Sequence, residues 1–266
     1  MRYFIVDAFA QGAYLGNPAG VCLPEQPLST RQMQRIAAEN NLPETAFVTR
    51  ARGAYQIRWF TPAGEVDLCG HATLASAFVI RHVLEPHADR VTFQSVSGPL
   101  YVDTVEERFR LDFPARPARR TEPLPRIEAA LGAKPLETYL ARDWLVVLDS
   151  EQTVRGLQPD FAAMAKIPQG DGVIVTARGE SCDFVSRCFY PKSGVNEDPV
   201  TGSAHCNLTP YWAERLGKTR LVARQLSARG GALACALTDD RVLLTGGARL
   251  YLSGEISTAY LSEELS

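Results

Sequence analysis

Several of the commonest functional signatures are missing from this 266-residue chain. There is no H-E-x-x-H, no Walker loop, no G-x-G-x-x-G and no G-x-S-x-G. These absences remove the usual zinc-protease, nucleotide-binding and serine-hydrolase readings. Six cysteines are present, but no pair has C-x-x-C spacing, so zinc-ribbon and thioredoxin-type sites find no support. Four histidines, His71, His82, His87 and His205, are too scattered along the chain to suggest a metal site. No run approaches the eighteen or so uncharged apolar residues of a membrane span. The formal net charge is −2 with both signs interspersed, so no basic stripe points to nucleic acid. The opening Met1-Arg2-Tyr3-Phe4-Ile5-Val6-Asp7 lacks the parts of a secretory leader. The expectation is a soluble, cytoplasmic protein with free, buried thiols and no partner among nucleic acids or membranes.

What is present is ordinary globular material, 45% hydrophobic and 22% charged, enough for one or two cores. Tyr3–Val6 is a short aromatic and β-branched strand, followed by the turn Gly16-Asn17-Pro18-Ala19-Gly20 and a second short run, Val21–Leu23. Ser29 and Gln32 have capping-box spacing, and Leu28 with Met33 forms a staple pair, so a helix is predicted to start there. Asn40, Asn41 and Pro43 end it. Strands are predicted over Thr45–Thr49 and Tyr55–Phe60, with a turn at Thr61-Pro62-Ala63-Gly64. From Gly70 the period becomes helical, and small residues on several faces predict a helix buried nearly all round.

The stretch from Pro114 to Pro125 holds four prolines together with Arg116, Arg119 and Arg120, and reads as a linker. It divides the chain into an N-terminal lobe, 1–117, and a C-terminal lobe, 118–266, whose last strand is free to pack back on the first lobe. In the second lobe a short helix around Ile127–Leu131 leads to strands near Thr138–Leu140 and Trp144–Leu148, with another short helix over Asp160–Lys166. Strands follow over Gly172–Thr176 and Phe184–Tyr190, then a turn-rich run enters a second helix after Gly202. Arg58-Trp59-Phe60-Thr61-Pro62 parallels Arg187-Cys188-Phe189-Tyr190-Pro191, and each precedes acidic residues, a glycine and a small-residue helix. This order argues for an internal duplication of about half the chain; chance similarity between two common strand-turn-helix units is the plainer alternative. Pro210 falls inside the second helix and predicts a kink or break.

Helix starts expose amide groups with no internal partner, so the two turns holding His71 and Ser203 could cradle a carboxylate or an enolate. Asp67 and Asp198 lie just before these helices, where capping is the commoner role for an aspartate. Glu44 stands at a loop-to-strand junction, where burial would suit it to take and return a proton, although most glutamates are solvated surface groups.

Four segments together resemble one family: Gly16-Asn17-Pro18-Ala19-Gly20-Val21, Asn41-Leu42-Pro43-Glu44-Thr45-Ala46-Phe47-Val48, Phe60-Thr61-Pro62 with Glu65-Val66-Asp67-Leu68-Cys69-Gly70-His71-Ala72-Thr73, and Glu197-Asp198-Pro199-Val200-Thr201-Gly202-Ser203-Ala204. They are similar to the PhzF-like family of phenazine-biosynthesis isomerases, in the same order and over essentially the whole chain. The resemblance implies an α/β (α+β) fold of two pseudo-symmetric lobes, each a rolled, mostly antiparallel sheet around a central helix, as in diaminopimelate epimerase. It implies an active site in the cleft between lobes, no metal, no organic cofactor, a small carboxylate substrate and a homodimer. The family's founding reaction is proton-transfer isomerisation of trans-2,3-dihydro-3-hydroxyanthranilate. Its catalytic glutamate, histidine and aspartate fall on Glu44, His71 and Asp198. Asn17, Gly70, Gly202 and Ser203 would contact the substrate. An epimerase would need a second thiol facing Cys69, and the matching segment offers Asp198-Pro199 instead. A ligand-binding protein without chemistry on the same fold is the third reading.

Overall fold

The computed structural model describes residues 1–51, 53–257 and 259. The chain forms two compact units, Met1–Leu111 together with Gly246–Ser266, and Asp112–Thr245.

In the first unit, β1 (Arg2–Ala8) pairs antiparallel with β2 (Asn17–Leu23). The connection turns at Gly16, whose φ is +84°. A Cβ there would lie 2.4 Å from the Ala8 carbonyl oxygen, so only glycine fits. Helix α1 (Thr30–Asn40) starts as the sequence predicts. Ser29 Oγ accepts from Gln32 N, and Gln32 Oε1 accepts from Ser29 N at 2.8 Å. Leu28 packs on the cluster that contains Met33, Ile36, Phe47 and Phe60. Asn41 closes the helix in the left-handed region, φ 48°. Strand β3 (Glu44–Ala51) then runs parallel to β2, with Ala19 opposite Glu44. It pairs antiparallel with β4 (Ala54–Phe60), which continues into the two-residue β5 (Glu65–Val66).

Helix α2 (Gly70–Val79) buries His71 through Ala77 and also Val79, so the expected all-round burial holds. It packs against β1, β2 and β3. A π turn over Ile80–Leu84 ends it, with Glu85 N donating to the Ile80 carbonyl. Strands β6 (Arg90–Ser95), β7 (Gly98–Val105) and β8 (Arg108–Pro114) follow as a meander, with β6 parallel to β4.

The second unit repeats this plan. The proline-rich linker itself contains β9 (Arg119–Thr121), which pairs with β10 (Glu137–Leu140). Between them lies α3 (Pro125–Leu131). Strand β11 (Trp144–Val147) pairs antiparallel with β10 and parallel with β12 (Val173–Arg178). The β11–β12 crossover carries α4 (Glu151–Gly156) and α5 (Phe161–Met164). Helix α4 was not expected. Its six residues are too few to show a helical period, and Ser150 caps it. Strand β13 (Phe184–Tyr190) leads to β14 (Val195–Asp198), α6 (Gly202–Leu216), and the antiparallel β15 (Arg220–Gln225), β16 (Gly231–Thr238) and β17 (Arg241–Gly246). The core joins Ile127, Leu131, Trp144, Val175 and Phe189.

The duplication extends to register and side chains. β2 and β3 correspond to β11 and β12, and the β4–β5 turn to the β13–β14 turn. Arg58 Nε and Nη2 donate to the two carboxylate oxygens of Glu65, both at 2.7 Å. Arg187 does the same to Glu197, at 2.7 and 2.9 Å. Each guanidinium also stands 5.1 Å from a ring centroid, Phe60 in one unit and Phe189 in the other.

Helix α6 runs unbroken through Pro210, so of the expected kink or break the break does not occur. A proline at this position leaves the Cys206 carbonyl without its helical donor. The backbone N–H of Arg116 takes that carbonyl at 2.9 Å, so the Pro-rich segment completes the helix's hydrogen bonding. The chain ends its described strands with β18 (Ala248–Glu255), antiparallel to β1. The division between the units falls after Leu111, near the expected 117/118 boundary, and the chain end packs back on the first unit as the sequence allowed. The final strand belongs to the first unit, because β1 supplies its hydrogen-bonding edge. No described helix is long and apolar enough to cross a membrane.

Candidate active site

The first unit gathers three of the residues singled out in the sequence. Pro43 bars α1 from continuing, and Glu44 opens β3. Asn40 Nδ2 donates to Thr45 Oγ1 at 3.2 Å and ties the helix end to the strand start. The Glu44 side chain keeps 20% of its surface exposed. His71 is the second residue of α2 and is almost fully buried. Its Nε2 lies 3.1 Å from Glu44 Oε2, a close polar contact without full hydrogen-bond alignment. Its Nδ1 lies 3.4 Å from the sulfur of Cys69, the N-cap residue of α2. Burial pushes the His71 imidazole down to about 3, so the ring is neutral near pH 7.

Asn17 is fully buried at the start of β2, two residues before Ala19, the register partner of Glu44. Gly70 is the first residue of α2. Asp67 is exposed and does not cap α2, which has no side-chain cap. Thr73 Oγ1 donates back to the Cys69 carbonyl at 2.6 Å in the first turn.

The second unit presents its own constellation at the start of α6. Asp198 ends β14, and its carboxylate accepts from Thr201 Oγ1 at 2.5 Å. Asp198 does not cap α6 either; the N-cap is Thr201, which makes no side-chain cap. Gly202 and Ser203 are the first two helical residues, so Ser203 stands where His71 stands in α2. The backbone of this turn is held by Gln225, which is buried in β15. Its Nε2 donates to the Asp198 carbonyl at 2.8 Å, and its Oε1 accepts from Thr201 N at 2.9 Å. Arg142 Nη2 donates to Ser203 Oγ at 3.3 Å and pairs with the buried Asp143 at 3.2 Å. Burial lifts the Asp143 carboxyl, against the pull of Arg142.

Sequence reasoning missed both Gln225 and Arg142. Neither belongs to a recognisable motif; strand register brings Gln225 to the turn, and the connection between β10 and β11 brings Arg142. The halves are also chemically unequal. By register, Glu44 corresponds to Gly172, where a Cβ would lie 2.3 Å from the Tyr190 ring. The second unit therefore has no room for a glutamate at the equivalent point.

Glu44, Cys69 and His71 offer donor atoms within 4.8 Å of one another, a zinc-like donor set. The sulfur faces Nδ1 and the carboxylate faces Nε2. One imidazole nitrogen serves one ion, so the arrangement suits a line of polar contacts better than a three-ligand cage.

The chain matches the family model described as phenazine biosynthesis-like protein over residues 6–254. The chain belongs to this family, PhzC-PhzF. It is 51% identical to an "uncharacterized isomerase" of Pseudomonas aeruginosa, covering 96% of this chain and 98% of that protein. It is 38% identical to the human phenazine biosynthesis-like domain-containing protein, over 96% of this chain and 98% of that one. The crystal structure of a PhzF-family protein from Enterococcus faecalis superposes with a TM-score of 0.94 at 51% identity, covering 96% and 98% of the two chains. By these names the PhzF-like chain has the fold and the isomerase kinship its motifs suggested.

Proposed function

We propose that the protein is a cofactor-independent isomerase that moves a proton on a small carboxylate-bearing metabolite, with Glu44 as the acid/base group. The observation that carries this reading is the Glu44–His71 contact at 3.1 Å, with Glu44 only partly exposed and His71 buried and neutral. A carboxylate beside a neutral imidazole can accept a proton from carbon and return it at a second position. The Nε2–H of His71 and the free amides at the start of α2, beginning at Gly70, would bind the oxygen on which charge develops. Asn17 lies on the strand next to Glu44 and is proposed as a substrate contact. In the second unit, Asp198, Gly202 and Ser203 are proposed to hold polar groups of the substrate or to assist proton movement. Arg142 supports that set through Ser203.

A two-thiol epimerase finds less support. Burial pushes every cysteine thiol of the second unit upward, Cys206 and Cys235 each to about 12, with Cys182 and Cys188 shifted the same way. None of them is primed as the second thiolate.

The test is turnover of trans-2,3-dihydro-3-hydroxyanthranilate, then of a panel of small carboxylates, by wild type, Glu44→Gln and Asp198→Asn. The reading expects turnover in wild type and its loss in Glu44→Gln with an unchanged circular dichroism spectrum. Binding of these compounds without turnover or proton exchange would favour a non-catalytic role. A cytoplasmic homodimer is proposed with the family, and light scattering of the purified protein checks its mass.

A further inference from the structure

We infer that Cys69 is a positioning residue: its thiol donates to His71 Nδ1 and so holds the imidazole as the Nε2–H tautomer, with that N–H presented to Glu44 and to an acceptor atom of the bound substrate. The inference deepens the proposed proton-transfer reading and rests on it for its catalytic consequence, though the tautomer itself is a property of the free protein.

Three observations converge. The sulfur is 3.4 Å from Nδ1, within hydrogen-bond range for a thiol, and both residues are buried. A neutral imidazole has one donor and one acceptor nitrogen, and its neighbours decide which is which. Thiol sulfur is a weak acceptor, whereas an unprotonated imidazole nitrogen is a good one, so the proton of this contact belongs on sulfur. At the opposite nitrogen, Glu44 Oε2 stands 3.1 Å from Nε2. A lone pair on Nε2 would face an anionic oxygen at that distance; an N–H there is attracted to it. Both neighbours therefore favour the same tautomer. The carboxylate lies off the N–H axis, so this buried donor is incompletely used and is suited to an incoming oxygen.

The second unit supplies an internal contrast. His205 lies four residues after the N-cap of α6, and its Nδ1 is 2.8 Å from the Thr201 carbonyl oxygen. A carbonyl only accepts, so His205 carries its proton on Nδ1. Burial pushes this ring down to about 4, which keeps it neutral as well. The two central helices thus hold buried histidines in opposite tautomers, in line with what faces each Nδ1, a thiol at His71 and a carbonyl at His205.

The experiment is long-range proton–nitrogen correlation NMR of uniformly 15N-labelled protein near pH 7.5, with signals assigned by His71→Asn and His205→Asn. Wild type is expected to show His71 protonated on Nε2 and His205 on Nδ1. Wild-type His71 protonated on Nδ1 would overturn the inference, and this measurement needs no altered protein. The Glu44→Gln variant removes the carboxylate's preference and leaves Cys69 to set the tautomer, so Nε2–H should persist. Adding Cys69→Ala to Glu44→Gln should then lose the Nε2–H signature, wholly or as a mixture with Nδ1–H. An unchanged tautomer in that double variant would remove Cys69 from the account. Turnover by Glu44→Gln would bring down the proposed base alone and leave the tautomer result standing.

Discussion

At the scale of single residues, the proposed base Glu44 has no counterpart at its twin position. Gly172 occupies the equivalent place in the second unit because Tyr190 fills the space a side chain would need. Replacing Glu44 by Gln keeps the shape and removes the proposed base. We expect kcat to fall by about 10²–10⁴-fold, the usual contribution of a positioned general base, with no loss of thermal stability. Steady-state kinetics beside a melting curve checks both halves of that expectation.

The two arginine–glutamate pairs predict an asymmetric result. Arg58 and Glu65 are 35% and 32% exposed, whereas Arg187 and Glu197 are 11% and 19% exposed. Arg187 also donates to the Val154 and Leu157 carbonyls, at 3.2 and 2.9 Å. Arg58→Ala should cost at most about 1 kcal/mol, as exposed pairs do. Arg187→Ala should cost roughly 3–5 kcal/mol, because it strands a largely buried carboxylate and two carbonyls. Urea unfolding of the two variants measures the difference.

At the scale of elements, local rules were legible wherever a helix had a complete signal. The α1 start could be read from Ser29, Gln32, Leu28 and Met33, and its end from Asn41. Ser29→Ala should cost about 1 kcal/mol, because the Gln32 backbone N–H loses its Ser29 Oγ acceptor. The ends of α2 and α6 were less legible, since the aspartates that suggested caps, Asp67 and Asp198, do not cap. Strand β9 and the continuity of α6 were hidden for one shared reason. A proline-rich stretch reads as a linker, yet its backbone N–H at Arg116 satisfies the carbonyl that Pro210 leaves open. It follows that Pro210→Ala should gain well under the ~3 kcal/mol that a helix-interior proline usually costs. A gain of that full size in chemical denaturation would mean that the Arg116 contact does not compensate.

At the scale of the whole molecule, the duplication was legible in the order of motifs, because the same strand-turn-helix unit recurs in both halves. The return of β18 to β1 was not assignable to one lobe from sequence, since a strand's pattern does not name its partner. The candidate site was legible mainly through the four family motifs; unaided, Glu44 resembles any surface glutamate. Gln225 and Arg142 were invisible, because only the folded sheet, through the β15 register and the β10–β11 turn, brings them to the site.

Each unit also buries one neutral histidine near its central helix start, and this sets a pH dependence for the whole chain. The folded values of about 3 for His71 and about 4 for His205 lie below the ordinary value near 6.5. Between these limits the unfolded chain binds more protons than the folded one. Stability contributed by the two neutral rings is therefore complete above about pH 6.5 and is lost as pH falls toward 4 and then 3. Urea midpoints from pH 7.5 to 4.5 should decline, and the decline should be shallower in His205→Asn.

The most direct test of the central claim is proton NMR of trans-2,3-dihydro-3-hydroxyanthranilate incubated in D₂O with wild type and with Glu44→Gln. The account predicts isomerisation with deuterium incorporated from solvent by wild type, and neither change with the variant. Isomerisation by Glu44→Gln at the wild-type rate would contradict it.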